Sequence, residues 1–237
     1  FACQCYGAVL VPVFPTMVAD QVEFIVRDCG ATVAFASTPE QASKILKIQA
    51  TCPKLKHVFA FDSAGGGAKP FGALVEEGRK AHAAAPAVFD ERAGRRKPDD
   101  LATIIYTSGT TGEPKGAMLM QSNFVSNMLA GCSLLPFDST AVTMSFLPPA
   151  HVFERLVEYC YYHRGATIAF AESIDKLRDN LGEVNPQIFG AVPRVYEKVY
   201  ARVMEKVDAG SAAKQRLFRT AIEVGKEVLR LRTEKKT

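Results

Sequence analysis

Between Thr107 and Gly116 the chain places three glycines, four hydroxyl side chains and one lysine within ten residues. Glycines let successive backbone N–H groups turn into one concavity, which is how a peptide loop cradles phosphate oxygens. The hydroxyls of Thr107, Ser108, Thr110 and Thr111 add short-reach donors, and Lys115 adds a mobile positive charge able to follow a polyphosphate. The order of residues differs from the familiar phosphate loops. Pro114 stands five residues after Gly109 and Gly116 follows Lys115, so G-x-x-x-x-G-K-[ST] is not met. The dinucleotide pattern G-x-G-x-x-G is not met either. Composition alone would equally suit a flexible surface connection; the ordered string, not the composition, points to phosphate.

The elements that must hold this loop alternate between short apolar runs and longer amphipathic ones. Leu101–Tyr106 reads as a strand running directly into the loop, and Ala117–Met120 as the strand leaving it. Upstream, Ala8–Val13, Thr32–Ala36 and His57–Phe61 read as strands, with helices over Thr16–Cys29 and from Thr38 between them. Ser63–Ala68 reads as a glycine-rich turn, and Ala81–Asp100 as a surface connection. Downstream, strands are expected at Val142–Leu147, Ala166–Phe170 and Gln187–Val192. Helices are expected after Ser122-Asn123 and over Val152–Tyr162 and Ser173–Leu181. From Val195 the pattern is helical, with Val195, Val199, Val203 and Val207 forming a stripe suited to core packing. The rhythm predicts an α/β fold of largely parallel sheets flanked by helices. Its first block covers residues 1–80, its second 98–193 and a helical segment 194–237.

Composition narrows the class. The 237 residues are 48% hydrophobic and 23% charged, a globular mix that excludes disordered and collagen-like chains. The net charge of +4 is uneven, because residues 194–237 carry +6 and residues 1–193 carry −2. Interspersed charges of that kind usually form a solvated helix face, though a basic tail leaves open a peripheral contact with acidic lipid. No groove-reading motif supports nucleic acid as a partner. The six cysteines form no C-x-x-C pair and have no histidine at ligand spacing, so a zinc site is not expected. They read as buried free thiols of a cytoplasmic protein. The chain opens Phe1-Ala2-Cys3 without Met and stops inside a charged helical pattern, which reads as an internal piece of a longer protein.

Tyr106–Met118, with the order Tyr-Thr-Ser-Gly-Thr-Thr-Gly-Glu-Pro-Lys-Gly-Ala-Met, closely resembles the AMP-binding signature of adenylate-forming enzymes. Leu147-Pro148-Pro149-Ala150-His151-Val152-Phe153-Glu154-Arg155 resembles the next motif of that superfamily as long-chain fatty acyl-CoA synthetases carry it. Gly190–Val199 and Gly7–Thr16 are similar to the same branch. The resemblance covers essentially the whole chain as part of the N-terminal domain of a longer enzyme.

The resemblance implies a two-step reaction. A fatty acid carboxylate attacks the α-phosphate of ATP to give acyl-AMP and pyrophosphate, and the CoA thiol then takes the acyl group. It implies that Thr107, Ser108, Gly109, Thr110, Thr111, Gly112 and Lys115 bind the nucleotide phosphates. Thr107 would also help to ligate Mg²⁺, and His151 would line the acyl–adenylate pocket. Lys115, Thr107 and His151 are thus the candidate catalytic residues. Glu154 and Arg155 read as a local structural pair, and Tyr196 and Tyr200 as a packed pair. The family's adenine loop, ribose-binding Asp and C-terminal-domain Lys are not found in the 237 residues, so the isolated chain is expected to be inactive. Two alternatives stay open: an acyl-AMP ligase that loads a carrier protein, and a binding module that keeps the fold without the chemistry.

Overall fold

The computed structural model describes residues 1–61, 67–107 and 113–234. Two units are distinguished, Phe1–Phe189 and Gly190–Thr237. The first begins with a short helix, α1 (Ala2–Tyr6), closed by Gly7 in the left-handed region at φ 85°. Ala8–Val13 follows, expected as a strand. Its only ladder contact among the described residues is a parallel bridge from Leu10 to Thr103. Leu10 N donates to the Ala102 carbonyl and Ile104 N to the Leu10 carbonyl, each at 3.2 Å. Pro12 and Pro15 lack the N–H groups that a longer ladder would need, so the run stays extended without becoming a full strand.

The first sheet is built from α2 (Ala19–Cys29), β1 (Val33–Ala36), α3 (Pro39–Ile48), β2 (His57–Ala60) and β3 (Lys69–Pro70). Its strands run β1-β2-β3, all parallel, with Val33 opposite His57 and Ala36 opposite Ala60. The Thr38 side chain caps α3 by accepting from Gln41 N at 3.4 Å, with Pro39 at the first helical position. Val22 and Val26 of α2, Ala42 and Ile48 of α3, and Val58 and Ala60 of β2 close one apolar core. The expected glycine-rich turn lies mostly outside the described residues, which resume at Gly67.

Residues 81–100 are exposed as expected for a connection, yet they are largely helical. The helix α4 (Phe71–Ala84) and the helix α5 (Ala87–Gly94) flank Pro86. Alanine has the highest intrinsic helix propensity, and here it outweighs the loop-like Pro and Arg content.

A two-stranded antiparallel sheet follows, β4 (Leu101–Thr107) with β5 (Lys115–Met120). The helix α6 (Gln121–Leu134) leaves it, held at its start by Asn123 Oδ1, which accepts from Met120 N at 2.8 Å. The second parallel sheet has the order β7-β6-β8, from β6 (Val142–Ser145), β7 (Thr167–Phe170) and β8 (Ile188–Phe189). Between its strands run α7 (Val152–Arg164) and α8 (Leu177–Val184). Packing of α6 on α7 is close: a Cβ on Gly131 would meet Cys160 Sγ at 3.2 Å.

The second unit is a helical pair, α9 (Pro193–Asp208) and α10 (Ala212–Glu234), interrupted at Gly210-Ser211. Gln215 Nε2 donates to the Asp208 and Gly210 carbonyls at 2.8 and 3.1 Å, satisfying the end of α9. The valine stripe is not a core. Val199 is 55% exposed, and no residue of either helix is buried. Two helices offer one another a single contact line, too narrow to cover a stripe of this width. Tyr196 and Tyr200 are likewise exposed, and no ring contact between them is found among the described residues. None of the described helices is long and apolar enough to cross a membrane.

Candidate functional site

The phosphate-loop residues Ser108, Gly109, Thr110, Thr111 and Gly112 lie outside the described residues, and the site is built from what brackets them. The β4–β5 register pairs Tyr106 with Gly116 and Thr107 with Lys115, so two of the predicted residues stand directly opposite each other. Both are exposed. Residues opposed across an antiparallel ladder share a face, and side chains alternate along each strand. Thr103, Thr107, Lys115 and Leu119 therefore lie on one face of the hairpin. Ile104, Tyr106, Gly116 and Met118 lie on the other.

The second face explains Gly116. A Cβ there would stand 2.8 Å from Ile104 Cγ2, closer than real Cβ atoms approach, and a tight 3.2 Å from Tyr106 Cζ. Tyr106 fills that space and anchors β4: its hydroxyl donates to the Asp28 carboxylate of α2, and Phe24 meets its ring edge-on at 6.4 Å. Burial first, and then the bond to Asp28, hold the Tyr106 phenol well above its ordinary pKa, so it stays a donor.

The first α7 turn reaches the first face through Arg155, which donates to Thr103. His151 is the N-cap of α7, and its Nδ1 accepts from Phe153 N at 3.2 Å. Because Nδ1 accepts, the neutral ring carries its hydrogen on Nε2. The exposed imidazole thus has one nitrogen committed to the helix and an N–H left for another partner. His151 N also donates to the Pro148 carbonyl at 2.9 Å, which closes the turn before the helix.

Glu154 and Arg155 do not form the local pair that adjacency suggested. They are almost fully buried, at 1% and 5% exposure, and diverge. Residues i and i+1 on a helix point about 100° apart, so neighbours in sequence face different elements. Arg155 Nη1 donates to Thr103 Oγ1 at 3.0 Å and Nη2 to the Pro149 carbonyl at 3.3 Å. Glu154 Oε1 accepts from Ser145 Oγ at 2.6 Å, and Glu158 Oε1 lies 2.9 Å from the same hydroxyl. Burial, reinforced by Glu158, pushes the Glu154 carboxyl up from its ordinary pKa.

Three sequence candidates are thus positioned. Thr107 and Lys115 are brought together by register, and His151 stands on the helix that Arg155 ties to the same strand. No hydrogen bond joins His151 to Thr107 or Lys115 among the described residues. The two buried polar pairs, Arg155 with Thr103 and Glu154 with Ser145, escaped the sequence reading. Thr103 inside an otherwise apolar strand was the one available signal. A groove of about 780 Å³ lies between residues 8–15 and β1, and its lining does not include Thr107, Lys115 or His151.

Comparison with known proteins gives the family. Residues 1–234 match the family model described as AMP-binding enzyme. A long-chain-fatty-acid–CoA ligase, FadD15 of Mycobacterium bovis, is 35% identical over 225 residues, covering 94% of this chain and 36% of that protein. Long chain acyl-CoA synthetase 6 (peroxisomal) of Arabidopsis thaliana is 31% identical over 240 residues, covering 96% of this chain and 33% of that protein. The chain therefore spans about a third of the length of these curated relatives. Among solved structures, the N-terminal domain of FACL13 from Mycobacterium tuberculosis superposes with a TM-score of 0.66 at 26% identity, covering 81% of this chain and 45% of that one. A putative long-chain-fatty-acid CoA ligase from Rhodopseudomonas palustris, at 18% identity and TM-score 0.65, shares the fold over 88% of this chain and 48% of that one. Matched to the family model over residues 1–234, the chain belongs to the family of AMP-binding enzymes, with long-chain fatty acyl-CoA synthetases among its relatives.

Proposed function

We propose that the protein carrying this chain is a fatty acid–CoA ligase. It activates the carboxylate with ATP and passes the acyl group to CoA. A fatty acid carboxylate is a poor acyl donor until one oxygen is made a leaving group. Attack of that oxygen on the α-phosphorus breaks the bond to the β-phosphate and releases pyrophosphate. The CoA sulfur then attacks the acyl carbonyl and releases AMP. The chain's contribution is placement and charge stabilisation.

The observation that carries this reading is the hairpin, whose register sets Thr107 opposite Lys115 at the mouth of the loop. Lys115 supplies a positive charge for the β- and γ-phosphates as they leave, and the loop residues Ser108–Gly112 supply backbone and hydroxyl donors. The Thr107 hydroxyl is a hard oxygen donor, suited to serve as one ligand of a Mg²⁺ that the phosphates also hold. That ion would neutralise charge on the departing pyrophosphate. His151, whose Nε2–H has no partner among the described residues, lines the acyl–adenylate pocket. These 237 residues form part of the N-terminal domain, so the activity belongs to the longer polypeptide.

Fatty-acid-dependent exchange of pyrophosphate into ATP tests the first half-reaction, and thioester formation with free CoA tests the second. Exchange without a CoA thioester would redirect the assignment to an acyl-AMP ligase. Absence of exchange in the whole protein would overturn the assignment.

A further inference from the structure

We infer that Arg155 is a positioning residue that locks the phosphate hairpin to the turn carrying His151, and so sets the geometry of adenylate formation. The inference rests on the function proposed above and extends it to a residue that touches no substrate.

The buried guanidinium spans two parts of the site. Its Nη1 reaches Thr103 on β4, and its Nη2 reaches the carbonyl of Pro149, two residues before His151. Thr103 is fully buried, and its single hydroxyl proton is already given to the Leu10 carbonyl. Only its lone pairs remain for Arg155, so the direction of the bond is fixed. Thr103 and Thr107 are four apart on one strand, and an even spacing keeps them on the same face. A shift of Thr103 is therefore carried along β4 to the position opposite Lys115.

Charge makes the placement informative. Among the described residues Arg155 forms no ion pair; its hydrogen bonds go to a hydroxyl and a carbonyl, the Phe124 ring lies 5.9 Å from Cζ, and the Glu158 carboxylate acts on it without a direct bond. Burial pulls its pKa below the ordinary arginine value, with Tyr159 and Glu158 opposing that shift. A buried cation hydrogen-bonded to neutral groups is an expensive way to fill space, and an apolar side chain of similar volume would do so more cheaply. What an apolar chain cannot do is bridge two acceptors from one planar group. Lysine carries its donors on a single nitrogen and cannot hold two acceptors apart at the spacing of two guanidinium nitrogens. The alternative, a purely structural arginine, predicts that its loss lowers stability and leaves the rate of the folded protein unchanged.

The test uses the whole enzyme with Arg155→Met, Thr103→Val and the double variant. Fatty-acid-dependent ATP–pyrophosphate exchange is measured beside the thermal midpoint. Arg155→Met should lower kcat for exchange by about 100-fold, the scale of a one-ångström misplacement, in protein that is still folded. Thr103→Val should lower it in the same direction, and the double variant should fall no further than the worse single variant, because both remove one bridge. Arg155→Lys covers the case in which methionine prevents folding; it keeps the charge, loses the bridge and should also lower kcat. Folded Arg155→Met or Arg155→Lys with wild-type kcat overturns the inference, as do losses that multiply in the double variant. Wild-type enzyme without exchange removes the functional reading and this inference with it. Active wild type with unaffected variants removes this inference alone.

Discussion

Thr107 and Lys115 face each other across the β4–β5 ladder, although seven residues of chain separate them. The pairing places a neutral oxygen donor and a cation on one face at the open end of a hairpin. Both side chains are exposed there, so neither contributes to the core, and each can be changed without disturbing the fold.

Lys115→Ala should therefore lower adenylation by about 100-fold, the usual consequence of removing one preorganised charge-stabilising group. The thermal midpoint should stay close to that of the wild type. ATP–pyrophosphate exchange and a thermal melt on the same preparation check both halves. Unchanged exchange would remove Lys115 from the phosphate site.

Gly116→Ala should behave in the opposite way. The new Cβ would meet Ile104 Cγ2 at 2.8 Å and Tyr106 Cζ at 3.2 Å, in a space the hairpin has closed. Overpacking of this kind costs about 1–3 kcal/mol, so denaturant unfolding should show a lower midpoint with little change in slope. A midpoint equal to that of the wild type would mean that the two strands separate locally without penalty.

The two nitrogens of His151 can be separated by substitution. An asparagine side chain there keeps an acceptor near the Nδ1 position that caps α7, whereas a glutamine side chain keeps a donor nearer the Nε2 position. His151→Asn should retain the cap, worth about 1 kcal/mol, and lose adenylation rate. His151→Gln should lose stability and retain more of the rate. Full rate in the asparagine variant would reduce His151 to a helix cap.

Glu154 gives a pH signature. Burial raises its carboxyl pKa above the ordinary 4.5, so the folded state holds its proton more tightly than the unfolded chain does. The stability from this group is complete below the unfolded value and is lost as pH rises through the folded one. Glu154→Gln keeps an acceptor for Ser145 and removes the titration. Its stability relative to wild type should therefore improve as pH is raised from about 4 towards neutral, read from urea midpoints. A constant difference across that range would show that Glu154 does not titrate between the two states.

The hairpin that brackets the candidate site was legible because its signals are local. The glycine, hydroxyl and lysine spacing of Thr107–Gly116 marked the loop, and the apolar runs on either side marked its strands. The Thr38-Pro39 start of α3 was equally plain, since capping depends on residues within one turn. The segment Ala8–Val13 misled because its apolar run suits a strand while its prolines limit the ladder. The alanine-rich stretch before Asp100 misled because helix propensity and loop composition pointed in different directions.

The sequence by itself determined most of the runs that form strand or helix and the family to which the motifs belong. Only the tertiary structure decided that Thr107 lies opposite Lys115, that Tyr106 leans on Asp28, and that Glu154 and Arg155 part company. The Arg155 bond to Thr103 joins residues 52 positions apart, and the Tyr106 bond to Asp28 joins residues 78 apart. It also decided that the valine stripe of α9 is left uncovered among the described residues. Periodicity tells which side of an element is apolar or polar. Which surfaces then meet depends on long-range closure and packing, and those are settled only when the whole unit has folded.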